Sequence, residues 1–216
     1  MFIGHFAVGF AAKRVAPKAS LGALLAAPLL LDLLWPIFLL AGVEWFRIAP
    51  GDTRFTPMAF DHYPWSHSLL MTLVWALLFG GGYWVLTRYR PGALAIGAGV
   101  ISHWVLDWIT HRPDMPLWPG GPLEGLGLWN SIPATVIVES VMFIAGVALY
   151  FTSTRSRDRT GTVAAWAMVV LLAVMYVLTS VTPPPSSTRA IAIGGLTVWL
   201  FPLWAWWLDR HREPVL

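Results

Sequence analysis

The stretch "ISHWVLDWITHRPD", residues 101–114, combines an apolar helical pattern with one central acid and two histidines. His103, Asp107 and His111 follow one another at intervals of four, so on a helix they lie on the same face. A charged side chain inside a membrane span costs about 2.5–3.5 kcal/mol on insertion scales and by default marks a functional site or a buried partner. This stretch therefore predicts a polar site within a spanning helix, whose partners must come from elsewhere in the chain.

The composition is that of a polytopic membrane protein. Of 216 residues, 57% are hydrophobic and only 12% are charged, against about 25% charged in an ordinary soluble domain. The mean hydropathy is +0.65. Because the chain has no cysteine, disulfides and thiolate metal sites are excluded. Any metal would be bound by histidines and carboxylates, and a net charge of +3 does not indicate a nucleic-acid partner.

Several apolar stretches are long enough to cross a bilayer, which takes about 20 residues. These predicted spans are residues 20–43, 66–87, 91–110, 131–152, 162–182 and 190–208. Residues 2–12 are apolar but too short to span, and we predict a half-helix that is re-entrant or interfacial. The fold prediction is thus an all-α transmembrane helix bundle, one integral-membrane domain over residues 1–216. Its polar residues lie within 1–152, and 162–208 contributes two plain spans.

Basic residues fall mainly on alternate connections, which predicts their side of the membrane as cytoplasmic. The residues on that side are Lys13, Arg14, Lys18, Arg88, Arg90, Arg155, Arg157, Arg159, Arg210 and Arg212. Both termini are therefore predicted to be cytoplasmic, with loops 44–65, 111–130 and 183–189 outside. The apolar run 20–43 exceeds the roughly 7–15 residues of a signal peptide's apolar region, so we expect an uncleaved first span.

The ionisable residues of the predicted spans fall at one depth. With a rise of about 1.5 Å per residue, Asp32 and His103 lie roughly 18 Å above the inner ends of their spans. The other residues expected in this layer, in the outer half of the membrane, are His5, His67, Asp107 and Glu139. Polar groups from five elements thus reach a common layer.

Histidine and carboxylate form a ligand set for Zn²⁺, and also for Fe, Mn or Ni. His103 and Asp107, one helical turn apart, can bind the same ion. His111 is about 12 Å along the helix from His103, so it cannot share that ion directly and would serve a second ion or the substrate. The alternative is a hydrogen-bonded pair that only joins two helices.

Four motifs resemble those of the bacterial inner-membrane-bound metal-dependent hydrolase family. They are "GHFAVG" with His5, "APLLLDLLWP" with Asp32, "DHYPWSHSLL" with His62, His67 and Ser68, and "SHWVLD" with His103 and Asp107. The resemblance covers residues 1 to about 115. Two positions depart from the family pattern: the usual Asp-x-Asp around Asp32 is reduced to one acid, and Tyr63-Pro64 replaces an Arg-Gly.

The order of these ligands is similar to that in zinc-dependent phospholipases C and P1-type nucleases. This resemblance implies that Asp32, His67 and His103 hold one ion together with Asp107. It further implies that Asp107 bridges to a second ion, which His5 also binds.

From these residues we expect a membrane-embedded metal-dependent hydrolase with one or two divalent ions, zinc being the first choice. A metal-activated water would attack a lipid-like or phosphoester substrate, with Asp107 or Glu139 taking the proton. We expect His62, Ser68 and His111 to support the ligands or touch the substrate.

Two other functions remain open at this stage. A transporter or metal-binding scaffold would use intramembrane His and Asp residues equally well, although transporters usually show paired repeats and none is visible here. The second open possibility is a pseudoenzyme or binding partner that keeps only the fold. The sequence does not name the substrate, the metal or the oligomeric state.

Overall fold

Long apolar helices build the molecule, as predicted. The structure is a computed structural model that describes residues 1–183 and 185–215. Pro184, within the predicted loop 183–189, and Leu216 lie outside the described residues. Within the described part, six segments are long and apolar enough to span a membrane: α2 (Leu21–Leu40), α4 (Leu69–Thr87), α5 (Arg90–Thr110), α6 (Ile132–Ser153), α7 (Arg159–Val181) and Thr188–Leu208. The predicted all-α transmembrane bundle is thereby confirmed.

The short N-terminal helix α1 (Ile3–Val15) lies inside the bundle, packed against α2, α5 and α6. His5, Phe6 and Phe10 are fully buried. The close crossing of α1 and α6 depends on Gly146, where a Cβ would lie 2.4 Å from the Ala7 carbonyl oxygen. Helices of the bundle surround this half-helix; its re-entrant or interfacial placement in the membrane stays a prediction.

Helix α2 is the central element. Leu25 and Leu29 pack into an apolar cluster with α1, α6, α7 and the C-terminal helix, while Leu24 and Leu31 pack against α4 and α5. Pro36 has no N–H group to bond the carbonyl of Asp32, four positions earlier. Asp32 is the acid of the predicted site. A helix buried on opposite sides is expected to be apolar all round, which makes its single acid conspicuous.

Short antiparallel strand pairs close the two ends of the bundle. They are β1 (Trp45–Ile48) with β2 (Met58–His62), β3 (Met115–Pro116) with β4 (Leu123–Glu124), and β5 (Thr154–Ser156) with β6 (Arg212–Pro214). The first two pairs belong to the end where α2 and α5 terminate. In the β1–β2 hairpin, the Arg47 guanidinium donates two hydrogen bonds to Asp61, of 2.7 and 2.8 Å.

Two predicted spans differ from the observed elements. The second does not begin as one helix: the short α3 (Pro64–His67) precedes α4, and the Ser68 hydroxyl between them accepts a hydrogen bond from the Met71 amide. The sixth consists of α8 (Thr188–Gly195), a 3-10 turn (Leu196–Trp199) and α9 (Leu200–Leu208). Hydropathy alone cannot detect such breaks, because the apolar composition continues through them.

Candidate metal centre

His103 and Asp107 face each other on α5, as their spacing predicts. His103 Nε2 lies 3.0 Å from Asp107 Oδ2, and both side chains are buried. On the other side of the ring, His103 Nδ1 lies 2.7 Å from the Pro28 carbonyl oxygen of α2. Because a carbonyl only accepts hydrogen bonds, Nδ1 carries a proton, and in the neutral imidazole the lone pair of Nε2 then faces the carboxylate.

Asp32 of α2 and His67 of α3 complete this group. Asp32 Oδ1 lies 3.6 Å from His67 Nε2 and 3.9 Å from His103 Nε2, and His67 Nε2 lies 3.9 Å from Asp107 Oδ2. One ligand atom each from Asp32, His67 and His103 fits within 4.8 Å of the others. The three helices meet here because α2 and α5 pack directly and α3 caps their end of the bundle.

His5 of α1 forms a second group on the other oxygen of Asp107. His5 Nε2 lies 3.0 Å from Asp107 Oδ1, and its ring stacks on His103 with the centroids 3.9 Å apart. His5, His103 and Asp107 again offer atoms within 4.8 Å of one another. The nitrogen of Met1 also contacts Asp107 Oδ1. The two oxygens of Asp107 therefore face two adjoining sets of donor atoms.

A buried carboxylate outside the spans orients His67. Glu44, which is 2% exposed, accepts hydrogen bonds from the Trp65 and Ser66 amides, both 2.8 Å, and from the Ser66 hydroxyl at 2.6 Å. The same hydroxyl oxygen lies 2.7 Å from His67 Nδ1. Since its hydrogen is directed to Glu44, the hydroxyl must accept from Nδ1–H, and the lone pair of His67 Nε2 is turned toward the site. Supports of this kind are typical of metal-binding histidines.

His111 reaches the edge of the site. Its Nε2 lies 3.9 Å from Asp107 Oδ2, and its Nδ1 lies 2.9 Å from Asp114 Oδ1. Asp114 also accepts a hydrogen bond from the Tyr63 hydroxyl and pairs with Arg112. Burial and the neighbouring Asp114 raise the pKa of Tyr63 well above its usual value, so this phenol stays protonated and donates. His111 belongs to neither of the two compact groups.

Three other predicted site residues lie elsewhere. Glu139 is buried at the start of α1, where its Oε2 accepts hydrogen bonds from the Phe2 and Gly4 amides at 2.8 and 3.2 Å. His62 stacks on Trp45 in the hairpin, with ring centroids 4.1 Å apart. Ser68 caps α4. The structure thus brings together His5, Asp32, His67, His103 and Asp107, with His111 adjoining them.

The site opens into a cavity of about 430 Å³. Asp32, His67, Asp107 and His111 form its polar part, and most of the remaining wall is apolar. The apolar residues include Phe2, Trp35, Phe55, Met58, Phe60, Trp129 and Ile191. These ionisable side chains, all buried except the partly exposed Asp32, thus line a largely apolar cavity.

The donor set fits a divalent cation. The imidazole lone pairs of His67 and His103 and the carboxylates of Asp32 and Asp107 converge, and His103 Nε2 has no hydrogen-bond partner among the described residues. Electron-rich atoms at such distances repel one another unless a positive charge lies between them. A cation coordinated by imidazole and carboxylate removes that conflict and matches the ligand preferences of zinc.

Sequence reasoning missed the residues that orient these ligands. Glu44 and Asp114 belong to the predicted loops 44–65 and 111–130, where charged residues are ordinary, and Ser66 is the first residue of the predicted span 66–87. The usable signal was weak: Ser66 directly precedes His67, and Asp114 follows His111 at a spacing of three. Glu44 is separated from α3 by the whole β1–β2 hairpin, so its contact depends on tertiary structure.

The comparisons with known proteins give a family. The family model described as YdjM inner membrane protein matches residues 1–183. No curated protein and no solved structure matches this chain. The chain therefore belongs to the YdjM inner membrane protein family, and with six candidate spans it is a multi-pass inner-membrane protein.

Proposed function

We propose that this member of the YdjM inner membrane protein family is a metal-dependent hydrolase of a lipid-like substrate, with a phosphoester as the first candidate for the scissile group. The observation that carries the proposal is the convergence of His and Asp side chains from α1, α2, α3 and α5 at an apolar cavity. Ionisable residues within membrane spans are expensive and mark function by default.

Asp32, His67, His103 and Asp107 would hold the principal ion, with zinc as the first choice. Asp107 Oδ1 and His5 would hold a second. When bound, such an ion supplies Lewis-acid polarisation of the scissile group and acidifies a water molecule. The chain's own residues fix the geometry: the Pro28 carbonyl orients His103, and Glu44 orients His67 through Ser66.

We assign proton transfer to His111. His111 lines the cavity, and its Nδ1 lies 2.9 Å from Asp114 Oδ1. A histidine oriented by a carboxylate in this way is a common general acid or base. Asp107, whose oxygens face both groups of histidines, then acts as a ligand. Glu139, bonded to the α1 backbone and absent from the cavity wall, is assigned to holding α1 in place.

The cavity wall favours a substrate with an apolar portion. Aromatic and aliphatic side chains dominate the lining, and the polar groups gather at the metal ligands. Binding pockets of a few hundred Å³ with a few placed polar groups typically enclose a small ligand. A polar head at the ligands and a hydrocarbon part against Trp35, Phe60 and Trp129 would match this division.

The test is hydrolysis by the purified protein in detergent. Phosphodiester and carboxylic ester substrates, each with a long or a short alkyl chain, would be offered before and after chelation and zinc replacement. We expect metal-dependent turnover that prefers the long-chain phosphoester and falls at least a hundredfold in Asp32→Ala and His103→Ala. Asp61→Asn, in the exposed hairpin, is the matched control and should retain activity.

The same preparation separates the hydrolase from a transporter. If the zinc-loaded protein cleaves none of the esters but moves zinc or protons into sealed vesicles in a His103-dependent manner, the hydrolase proposal is wrong and the metal site serves transport.

A further inference from the structure

At the opposite end of the bundle from the metal ligands lies a second concavity, with a volume of about 500 Å³. It is formed by the end of α1, the turn into α2, the connection between α6 and α7, the end of α9 and β6. We define the basic pocket by its five cationic residues, Lys13, Lys18, Arg157, Arg210 and Arg212. The carboxylate that lines the same pocket is Asp209.

Asp209 is already committed to partners within the bundle. It accepts hydrogen bonds from the Ser20 hydroxyl at 2.7 Å and from the Leu21 amide at 2.9 Å, and it pairs with Lys13 at 3.3 Å. Lys13 Nζ also donates to the Ala19 carbonyl at 2.6 Å. This acid therefore balances one cation and the start of α2, and it forms no ion pair with Lys18, Arg210 or Arg212 within the described part of the chain.

Arg212 is a buried cation without a carboxylate partner among the described residues. It is 6% exposed, and its guanidinium donates to neutral oxygens of Thr154, Ser156 and Gly161. Its Cζ lies 5.2 Å from the ring centroid of Tyr150. These contacts hold the side chain in place but leave its charge uncompensated, which is costly in a buried position.

Two further cations extend the positive charge to the surface. Lys18 and Arg210 are exposed and form no ion pair within the described part of the chain. Arg210 lies over Trp206, with Cζ 5.0 Å from the ring centroid, and Trp206 is 56% exposed. Arg157 pairs with Glu213 at 3.2 Å. The pocket thus combines an uncompensated buried guanidinium, exposed cations and an aromatic side chain at the end of a spanning helix.

From this arrangement we infer that the basic pocket binds the phosphate group of an anionic phospholipid. A phosphodiester would supply the missing negative charge near Arg212, while Lys18 and Arg210 would contact its outer oxygens. The exposed Trp206 and Leu203 on α9 place apolar surface beside the pocket, which suits the glycerol and acyl portions of a lipid better than free phosphate. Basic pockets between membrane helices commonly bind lipid headgroups.

The experiment measures the unfolding temperature of delipidated protein in detergent after addition of phosphatidylglycerol, phosphatidylcholine or inorganic phosphate. The pocket variant is K18Q/R210Q. Its control is R14Q/R88Q, which removes the same charge from exposed positions at the same end of the bundle, outside the pocket. Both pairs are exposed, so the variants should fold.

Phosphatidylglycerol should raise the unfolding temperature of the wild type and the control by several degrees, and K18Q/R210Q should lose at least half of that shift. Phosphatidylcholine and inorganic phosphate should have little effect. An equal loss in both variants would show a diffuse charge effect and overturn the assignment. An equal shift with inorganic phosphate would make this a free-anion site, and the lipid assignment would fail.

Discussion

At the scale of single residues, the orientation of His67 depends on Glu44, a carboxylate outside the spans. Glu44 bonds the backbone of α3 and, through the Ser66 hydroxyl, sets which nitrogen of His67 carries the proton. The site therefore rests on a loop carboxylate as much as on residues within the spans.

Removing the link between Glu44 and His67 should weaken metal binding without removing a ligand. We expect Ser66→Ala to lower zinc affinity about 10–100-fold, the usual cost of losing a residue that orients a metal ligand. Glu44→Gln should have at least as large an effect, because two backbone amides lose a charged acceptor as well. Competition titration with a zinc indicator measures both.

The control for these variants is Asp61→Asn. The hydrogen bond from Arg47 lowers the pKa of Asp61, so that carboxylate stays ionised at neutral pH, but exposed pairs contribute only about 0–1 kcal/mol. Zinc affinity should be unchanged there. If Ser66→Ala also binds zinc like the wild type, the proposed orientation of His67 by Ser66 does not contribute to metal binding.

Glu139 is expected to act on stability rather than on chemistry. Glu139→Ala leaves the buried amides of Phe2 and Gly4 without their acceptor, at a cost of about 1–3 kcal/mol, whereas Glu139→Gln keeps one acceptor oxygen. We therefore expect E139A to unfold several degrees lower, with E139Q largely restored and active. Thermal unfolding and hydrolysis are measured on both, with the exposed Glu124→Ala as control.

The opposite pattern would restore the general-base role expected from the sequence. In that case E139Q would lose activity at unchanged stability, since Gln cannot accept the proton that Glu accepts.

At this scale, the part of the site within the spans was readable from the sequence. The four-residue spacing places His103 and Asp107 on one face, and the span boundaries place Asp32 at the depth of His103. The orienting residues were not readable, because a glutamate in a polar loop is unremarkable until the β1–β2 hairpin folds it onto α3. The Pro28 carbonyl that orients His103 leaves no sequence signal at all.

At the scale of elements, α1 is the piece whose position decides whether His5 reaches Asp107. It lies between α2 and α6, and the backbone of α6 approaches it closely at Gly146. The sequence predicts its length and apolar character, but a short apolar helix is equally compatible with an interfacial position. The sequence does not show that α1 packs against Gly146 of α6 inside the bundle.

Gly146→Val should displace α1. Its Cβ would lie 2.4 Å from the Ala7 carbonyl oxygen, and overpacking of this kind costs about 1–3 kcal/mol. We expect a drop in unfolding temperature of several degrees and loss of the ion bound by His5 and Asp107. Gly82→Val is the matched control, because a Cβ there meets nothing within 4 Å. Equal metal content and stability in the two variants would contradict the proposed role of α1.

The sixth span also packs closely against α2. A Cβ at Gly195 would lie 2.8 Å from Pro36 Cγ, so the glycine permits close contact with α2 near the cavity. A hydropathy profile records continuous apolar composition there and cannot show that α8 and α9 are separate helices.

At the scale of the whole molecule, basic residues gather at the end that holds the C-terminal strand, and the metal ligands lie toward the other. By the positive-inside rule, we propose that the basic end is cytoplasmic and that the site lies in the outer half of the membrane. Because the sequence contains no cysteine, a single introduced cysteine provides the only thiol of this chain for labelling.

The orientation predicts which introduced cysteines an impermeant maleimide reaches in spheroplasts. Trp118→Cys, at an exposed position of an outer loop, should be labelled in intact spheroplasts. Arg88→Cys, at the exposed C-cap of α4, should be labelled only after permeabilisation. The reverse pattern would place the site in the cytoplasmic half and overturn the proposed topology.

The central claim is that a cation accounts for the convergence of histidine and carboxylate lone pairs from four helices. Its most direct measurement is the metal content of protein purified without chelator from zinc-supplemented cells, for the wild type, Asp32→Ala, His103→Ala and Asp61→Asn. We predict at least one tightly bound ion per chain in the wild type and Asp61→Asn, and at least a tenfold loss in the other two. A folded wild-type protein free of metal, or equal metal in all four, would contradict it.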